Sequence, residues 1–300
     1  MMKKKYLDRL RIDPGERVNL NTIDTKGIPA RNQTISGTET AKERAEELLE
    51  ASRAELAKAQ GLLWANNIYS ILIILQGMDT AGKDGTIKHV MSGINPQGCR
   101  VHSFGVPTEE ELDHDFLWRT TLKLPGRGEI GIFNRSYYEE LLVVKVHPEV
   151  LARQRIPPGK RGQKFWEARY EDINAFERYL TRNGTIILKF FLHISKEEQR
   201  ERLLERLDNG EKYWKFSSGD LAEREYWEQY QEAYERMLER TSSKEAPWYV
   251  IPADYKWLAW TLVADIISSR IQALDLHYPV VSDEKLGEIR KAQDLLRDQR

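Results

Sequence analysis

The stretch 69–76, YSILIILQ, is an unbroken apolar run rich in β-branched residues, and it passes directly into GMDTAGKDG. A strand that alternates apolar and polar residues has one wet face. A strand that is apolar throughout must be covered on both faces, as in a parallel sheet wrapped by helices. Parallel strands also need long crossover connections, usually helical. Four more strands are predicted at 99–104 (CRVHSF), 128–133 (GEIGIF), 185–194 (TIILKFFLHI) and 248–253 (WYVIPA). Helical patterns lie between them, at 108–124, 137–145, 163–182, 196–208, 220–241 and 255–275. The alternation predicts an α/β fold: a parallel sheet of about five strands flanked by helices. Residues 1–37 read as an irregular arm. Thr40 and Glu43 have capping-box spacing and open a helix over 40–63. No internal repeat and no clean linker is visible, so the chain reads as one domain over 1–300. An N-terminal arm and helix occupy 1–66, and a helical lid occupies 196–225.

The segment after the first strand nearly spells G-x-x-x-x-G-K-[ST]. Gly77, Gly82 and Lys83 fit, but Asp84 stands where a hydroxyl residue is expected. The strand before it and the helical KDGTIKHVMSGI after it are the context that a phosphate loop requires. Backbone amides around Ala81 and Gly82 would form an anion nest at a helix N-terminus. Lys83 would supply a mobile cation, and Gly85 would keep the helix start open to a bulky ligand. Asp79 and Asp84 are hard-oxygen ligands suited to Mg²⁺ between the loop and phosphates. Asp84 is read equally well as a helix-start acid complementing the dipole.

A second signature, FNRSYYEE, ends the 128–133 strand. Ligands of such sheets bind at the carboxyl ends of strands, so Asn134, Arg135 and Glu139 are expected beside the loop. Arg135 can grip phosphate bidentately. Glu139 is also open to reading as a solvated helix-start acid. Two basic segments follow. Residues 151–169 carry Arg153, Arg155, Lys160, Arg161, Lys164 and Arg169 against a single acid, Glu167. A channel for a long polyanion is the reading for Arg153, Arg155, Lys160, Arg161 and Lys164. From Ser195 a second capping box opens the lid, with Arg200, Arg202, Arg206, Lys212 and Lys215 as cations for phosphate or nucleotide. Individual lid arginines have an alternative as i,i+4 partners of neighbouring glutamates. The stripe Trp227, Tyr230, Tyr234 and Met237 reads as core, as does His193.

These basic patches are local, because the formal net charge is only -1. That balance argues against nucleic acid or a membrane surface as partner. Cys99 is the only cysteine, so no internal disulfide can form, and a cytoplasmic location is expected. The opening MMKKKYLDRL lacks the apolar run of a secretory signal. The stretch SILIIL is too short to span a bilayer.

Taken together, GMDTAGKDG, HDFLWR, FNRSYYEE, FFLHISKEEQRERLLERLDNGEKYWKFSSGD and APWYVIPAD resemble the second family of polyphosphate kinases, over about residues 40–275. The resemblance implies a P-loop kinase fold with a helical lid, assembled as a dimer or tetramer. It implies reversible, Mg²⁺-dependent phosphoryl transfer between inorganic polyphosphate and nucleotides, with Mn²⁺ as a substitute metal. Adenine nucleotides are the expected partners, with guanine nucleotides as a wider range. It gives essential roles to Asp79, Lys83 and Arg135, and FNRSYYEE with Glu139 is similar to the subgroup accepting both AMP and ADP. Two rivals stand beside it: an ATP-dependent nucleoside monophosphate kinase, and a polyphosphate-binding protein without catalysis.

Overall fold

The computed structural model describes residues 4–27, 38–215 and 217–299. Its strands are β1 (Ser70–Gln76), β2 (Cys99–Ser103), β3 (Ile130–Asn134), β4 (Thr185–His193) and β5 (Trp248–Pro252). They form one sheet in the order β2-β3-β1-β4-β5, with every pairing parallel. The central β1 is buried along its whole length, as its unbroken apolar run demands. The outer β2 (CRVHS) is largely exposed, which explains its mixed polar sequence.

The helices are α1 (Lys4–Asp8), α2 (Thr38–Asn66), α3 (Lys83–Val90), α4 (Glu109–Leu112), α5 (Trp118–Thr121), α6 (Val143–Val146), α7 (Pro148–Ala152), α8 (Gln163–Arg182), α9 (Lys196–Asp208), α10 (Ser218–Glu225), α11 (Trp227–Thr241), α12 (Lys256–Gln272) and α13 (Asp283–Arg297). Buried apolar side chains of α12, among them Leu262, Val263, Ile266 and Ile267, join the sheet core. Thr261 ties α12 to α2 by donating from Oγ1 to Ala45 O at 3.0 Å. No described helix is long and apolar enough to cross a membrane.

Several expectations need correction, each for a local physical reason. The 108–124 helix is two short pieces. Asp115 breaks it by accepting the Leu117 amide on Oδ1 at 2.9 Å, a local bond that competes with helix. The 137–145 helix is a 3₁₀ turn over Tyr137–Leu141 followed by α6. The 220–241 helix is broken at Tyr226, whose φ and ψ of -88° and 17° leave the helical region. α2 spans Thr38–Asn66, so the backbone is already helical at Thr40, whose side chain lies outside the described residues. Only half of the Ser195 capping box forms. Ser195 Oγ accepts the Glu198 amide at 3.1 Å, while the Glu198 carboxylate turns to Arg202 Nε at 2.8 Å.

Much of the arm is ordered against the sheet. Arg11 pairs antiparallel with Tyr249. The Ile12 amide donates to Trp248 O at 2.9 Å, and the Val250 amide donates to Leu10 O at 2.7 Å. The arm thus covers the free edge of β5, an edge that would otherwise offer unpaired backbone groups.

Candidate active site

β1 and β3 are neighbours, with Leu75 opposite Asn134. Their carboxyl ends deliver the glycine loop and the FNRSYYEE segment to one place. The loop turns through three positive φ values, at Gly77 (156°), Thr80 (65°) and Gly82 (102°). A side chain at Gly77 would meet Leu192 O at 2.9 Å, so glycine is required there for both conformation and space. Ala81 is buried in the loop, and its amide donates to Met78 O at 3.1 Å.

Lys83 opens α3 and is buried. Its Nζ donates to Gly77 O at 2.7 Å and to Met78 O at 3.2 Å. An ammonium has three donors, so one is left for an anion. Burial and then the Arg135 charge lower its pKa to about 8, against the opposing pull of Asp79, Glu139 and Asp84. A bound anion would restore the proton's grip.

Arg135 sits at φ 62°, a conformation that is rare outside glycine. Its amide donates to Leu75 O at 3.1 Å, and its Nη2 donates to Asp79 Oδ1 at 2.7 Å. Burial would weaken its hold on the proton, but Glu139 and Asp79 more than offset this, and its pKa is raised. Glu139 is partly buried. Burial raises its carboxyl pKa, opposed by Arg135 and Lys83. Asn134 Nδ2 donates to Asp84 Oδ1 at 2.7 Å, pinning the start of α3 to the end of β3.

Four sequence candidates are therefore brought together: Asp79, Lys83, Arg135 and Glu139. Asn134 and Asp84 lie beside them. Gly85 has a different job from the one expected. A Cβ there would lie 3.8 Å from the Trp260 ring, so it faces α12 rather than a ligand. Arg200 is an exposed partner of its chain neighbour Glu201, with Nη2 to Oε1 at 2.5 Å; the i,i+4 alternative is met by Arg202, which pairs with Glu198 at 2.8 Å. The side chains of Lys212 and Lys215 lie outside the described residues.

A cavity of about 520 Å³ opens beside Arg135 and Glu139. Phe104, Val106 and Phe116 give it apolar walls, and Arg119, Arg153 and Arg155 give it charge. Arg119 lies over the Phe104 ring at 5.2 Å, and Arg169 lies over Phe116 at 4.5 Å. Arg153 and Arg155 therefore face a nucleotide-sized cavity, and Arg155 pairs with Asp113. Lys160, Arg161 and Lys164 do not line it. Arg161 instead folds back, donating to Pro157 O at 2.6 Å and resting over Phe165 at 5.1 Å.

Several residues here have contacts that sequence reasoning did not assign them. Asp113, Asp115 and Arg119 line the cavity; the HDFLWR motif, which holds Asp115 and Arg119, was their signal in the sequence. Tyr234 was read as core. It is buried, but its hydroxyl is pushed well up by burial and by Glu139 and Asp79, and it bonds to the Gly77 backbone. Arg202 is 5% exposed and clamps the loop, donating from Nη1 to Thr80 O at 3.0 Å and from Nη2 to Ala253 O at 2.6 Å. His193 is core as expected, with Nε2 3.1 Å from Leu20 O.

Among the described residues, no three His, Cys, Asp or Glu side chains converge into a metal cage. Mg²⁺ does not need one, since it commonly takes one or two carboxylates and completes its shell with phosphate oxygens and water. The loop suits this. Asp79 and Asp84 each commit Oδ1 to Arg135 and Asn134, which leaves each an Oδ2 for a cation. Thr80 Oγ1 is buried in the same loop without a partner among the described residues.

The sequence matches the family described as Polyphosphate kinase 2 (PPK2) over residues 39–278. The ADP-polyphosphate phosphotransferase of Rhodopseudomonas palustris is 48% identical over 282 residues, covering 94% of this chain and 95% of that protein. The AMP/ADP-polyphosphate phosphotransferase of Meiothermus ruber is 47% identical over 276 residues, covering 92% and 95%. The crystal structure of Polyphosphate Kinase 2 from Arthrobacter aurescens TC1 is similar at a TM-score of 0.84 and 38% identity, over 96% of each chain.

Proposed function

Because the chain belongs to the polyphosphate kinase 2 family, we propose that it transfers the terminal phosphoryl group of inorganic polyphosphate to ADP or AMP, reversibly. The observation that carries this reading is the meeting of two subsites at Arg135. Its guanidinium binds Asp79 of the glycine loop, and the same residue lines the 520 Å³ cavity beside Glu139.

Polyphosphate seats its end on the loop amides and on Lys83. The nucleotide occupies the cavity, with its base among the apolar walls and its phosphates toward Arg135. An oxygen of the acceptor phosphate attacks the terminal phosphorus. The bridging P–O bond breaks, and polyphosphate leaves one unit shorter. Lys83 and Arg135 neutralise charge spread over the transferred group, and the fixed site spares the reaction the reorganisation that water would need. Mg²⁺, with Mn²⁺ as substitute, would be held by Asp79 and Asp84 and would screen the phosphates from each other. Residues 196–225 act as the lid that excludes water. A homo-oligomer and a range extending to guanine nucleotides complete the reading.

The test supplies polyphosphate with AMP or ADP and no nucleoside triphosphate. ATP should appear with ADP as acceptor, and ADP followed by ATP with AMP. A protein that phosphorylates AMP only from a nucleoside triphosphate is the rival kinase. One that binds polyphosphate without product is the rival binder.

A further inference from the structure

α10 (Ser218–Glu225) rests on the protein by one charged face. Asp220, Glu223 and Arg224 have i, i+3, i+4 spacing, which places them on the same side of a helix. They are its partly buried residues among the described side chains, while Leu221 points outward, 48% exposed. Hydrogen bonds without apolar burial contribute little net stability, because water replaces them when the contact opens. An element held this way belongs to the low-stability end of a fold.

The three side chains reach in two directions. Toward the glycine loop, Asp220 Oδ2 accepts from Arg206 Nη1 at 3.1 Å. Arg224 Nη1 donates to Gln199 Oε1 at 2.7 Å, and Gln199 Nε2 donates in turn to Asp79 O at 3.1 Å. Toward the cavity, Glu223 Oε2 accepts from Tyr230 Oη at 2.6 Å and meets His147 Nε2 at 3.0 Å. His147 also has Glu149 3.2 Å from its Nδ1. It is the joint between α6 and α7, whose Val143, Val144 and Val150 line the cavity. One short helix is therefore linked to both subsites through different side chains, each by way of an intervening residue.

We propose that Glu223 is a positioning residue that links the docking of α10 to the cavity, as Arg224 links it to the glycine loop, so that each substrate tightens the site for the other. The inference rests on the assignment of nucleotide to the cavity and polyphosphate to the loop. It is tested by hydrogen exchange over residues 218–225 with ADP alone or polyphosphate alone, conditions without turnover. In the wild-type protein each ligand slows exchange, by about fivefold for a coupling of ordinary size. In Glu223→Ala the ADP effect is lost and the polyphosphate effect stays. Glu223→Gln, which keeps an oxygen for Tyr230 and His147, restores the response. Arg224→Ala gives the mirror result. ADP slowing exchange equally in wild type and Glu223→Ala, or in neither, overturns the inference. Product assays on the wild type keep the two readings apart. ATP formation with an α10 that ignores ADP defeats this inference alone, whereas absence of ATP defeats the proposed reaction.

Discussion

At the residue scale, the site is a balance of opposite charges held in place by backbone strain. Lys83 carries the sharpest consequence. Its lowered pKa of about 8 in the free protein means that the cation is lost as pH rises through that value, so kcat/KM for polyphosphate should fall above about pH 8. Phosphate beside the ammonium raises the pKa again, so the matching limb in kcat should lie higher; coincident limbs would remove Lys83 from that role. Lys83→Ala should cost about 10²-fold or more in kcat, measured by ATP formation from ADP. Arg135→Lys should rescue little of the loss in Arg135→Ala. The compact ammonium cannot span Asp79 and a phosphate as the planar guanidinium does. Asp79, Lys83 and Arg135 were all legible from residue type and spacing. Tyr234 was not, because an aromatic at helical spacing looks the same whether its hydroxyl ends in core or beside a carboxylate.

At the element scale, the 3₁₀ turn Tyr137–Leu141 is what places Glu139. Behind it lies a buried pair, with Lys189 Nζ donating to Glu177 Oε2 at 2.6 Å. Glu177 Oε1 accepts from the hydroxyls of Tyr137 and Tyr138, at 2.8 and 2.7 Å. Lys189 also donates to Thr241 O at 2.7 Å. A buried ion pair is seldom better than apolar packing, but removing one partner strands the other. Lys189→Met alone should therefore cost about 3–5 kcal/mol in urea unfolding. Lys189→Met combined with Glu177→Leu should recover a large part of that, while leaving the Tyr137 and Tyr138 hydroxyls without their carboxylate acceptor behind the turn. A double variant no more stable than the single would mean that the pair itself supports the fold. The sequence predicted a helix over 137–145, and the turn took its place. Its conformation answers to Glu177 and Lys189, about 40 and 50 residues away in the chain, and no local propensity records that.

At the scale of the whole molecule, the arm and the sheet edge form one unit. Leu20, Val18 and Ile12 are buried, and the Leu20 and Val18 amides donate to Glu235 and Glu239 of α11 at 2.8 and 3.0 Å. Deleting residues 1–23 removes these buried side chains and uncovers the apolar surface they cover and the edge of β5. At about 1.5–3 kcal/mol for each large apolar side chain, the loss should be on the order of 5 kcal/mol in urea unfolding. The freed edge should also promote association, visible by light scattering. A truncated protein as stable and monodisperse as the full chain would show that the arm is ornamental.

The sequence by itself determined the sheet class, all five strands and the place of the glycine loop between β1 and α3. Those follow from short-range rules: an apolar run without alternation must be buried on both faces, and glycine and lysine at fixed spacing shape an anion site. Tertiary structure alone decided which charges meet. Arg153 and Arg155 line the cavity beside Arg135 and Glu139, Arg202 clamps the loop, and Gly85 faces Trp260 of α12. A charged side chain is long and finds its partner across elements far apart in the chain. Its destination depends on packing that no local window of residues contains.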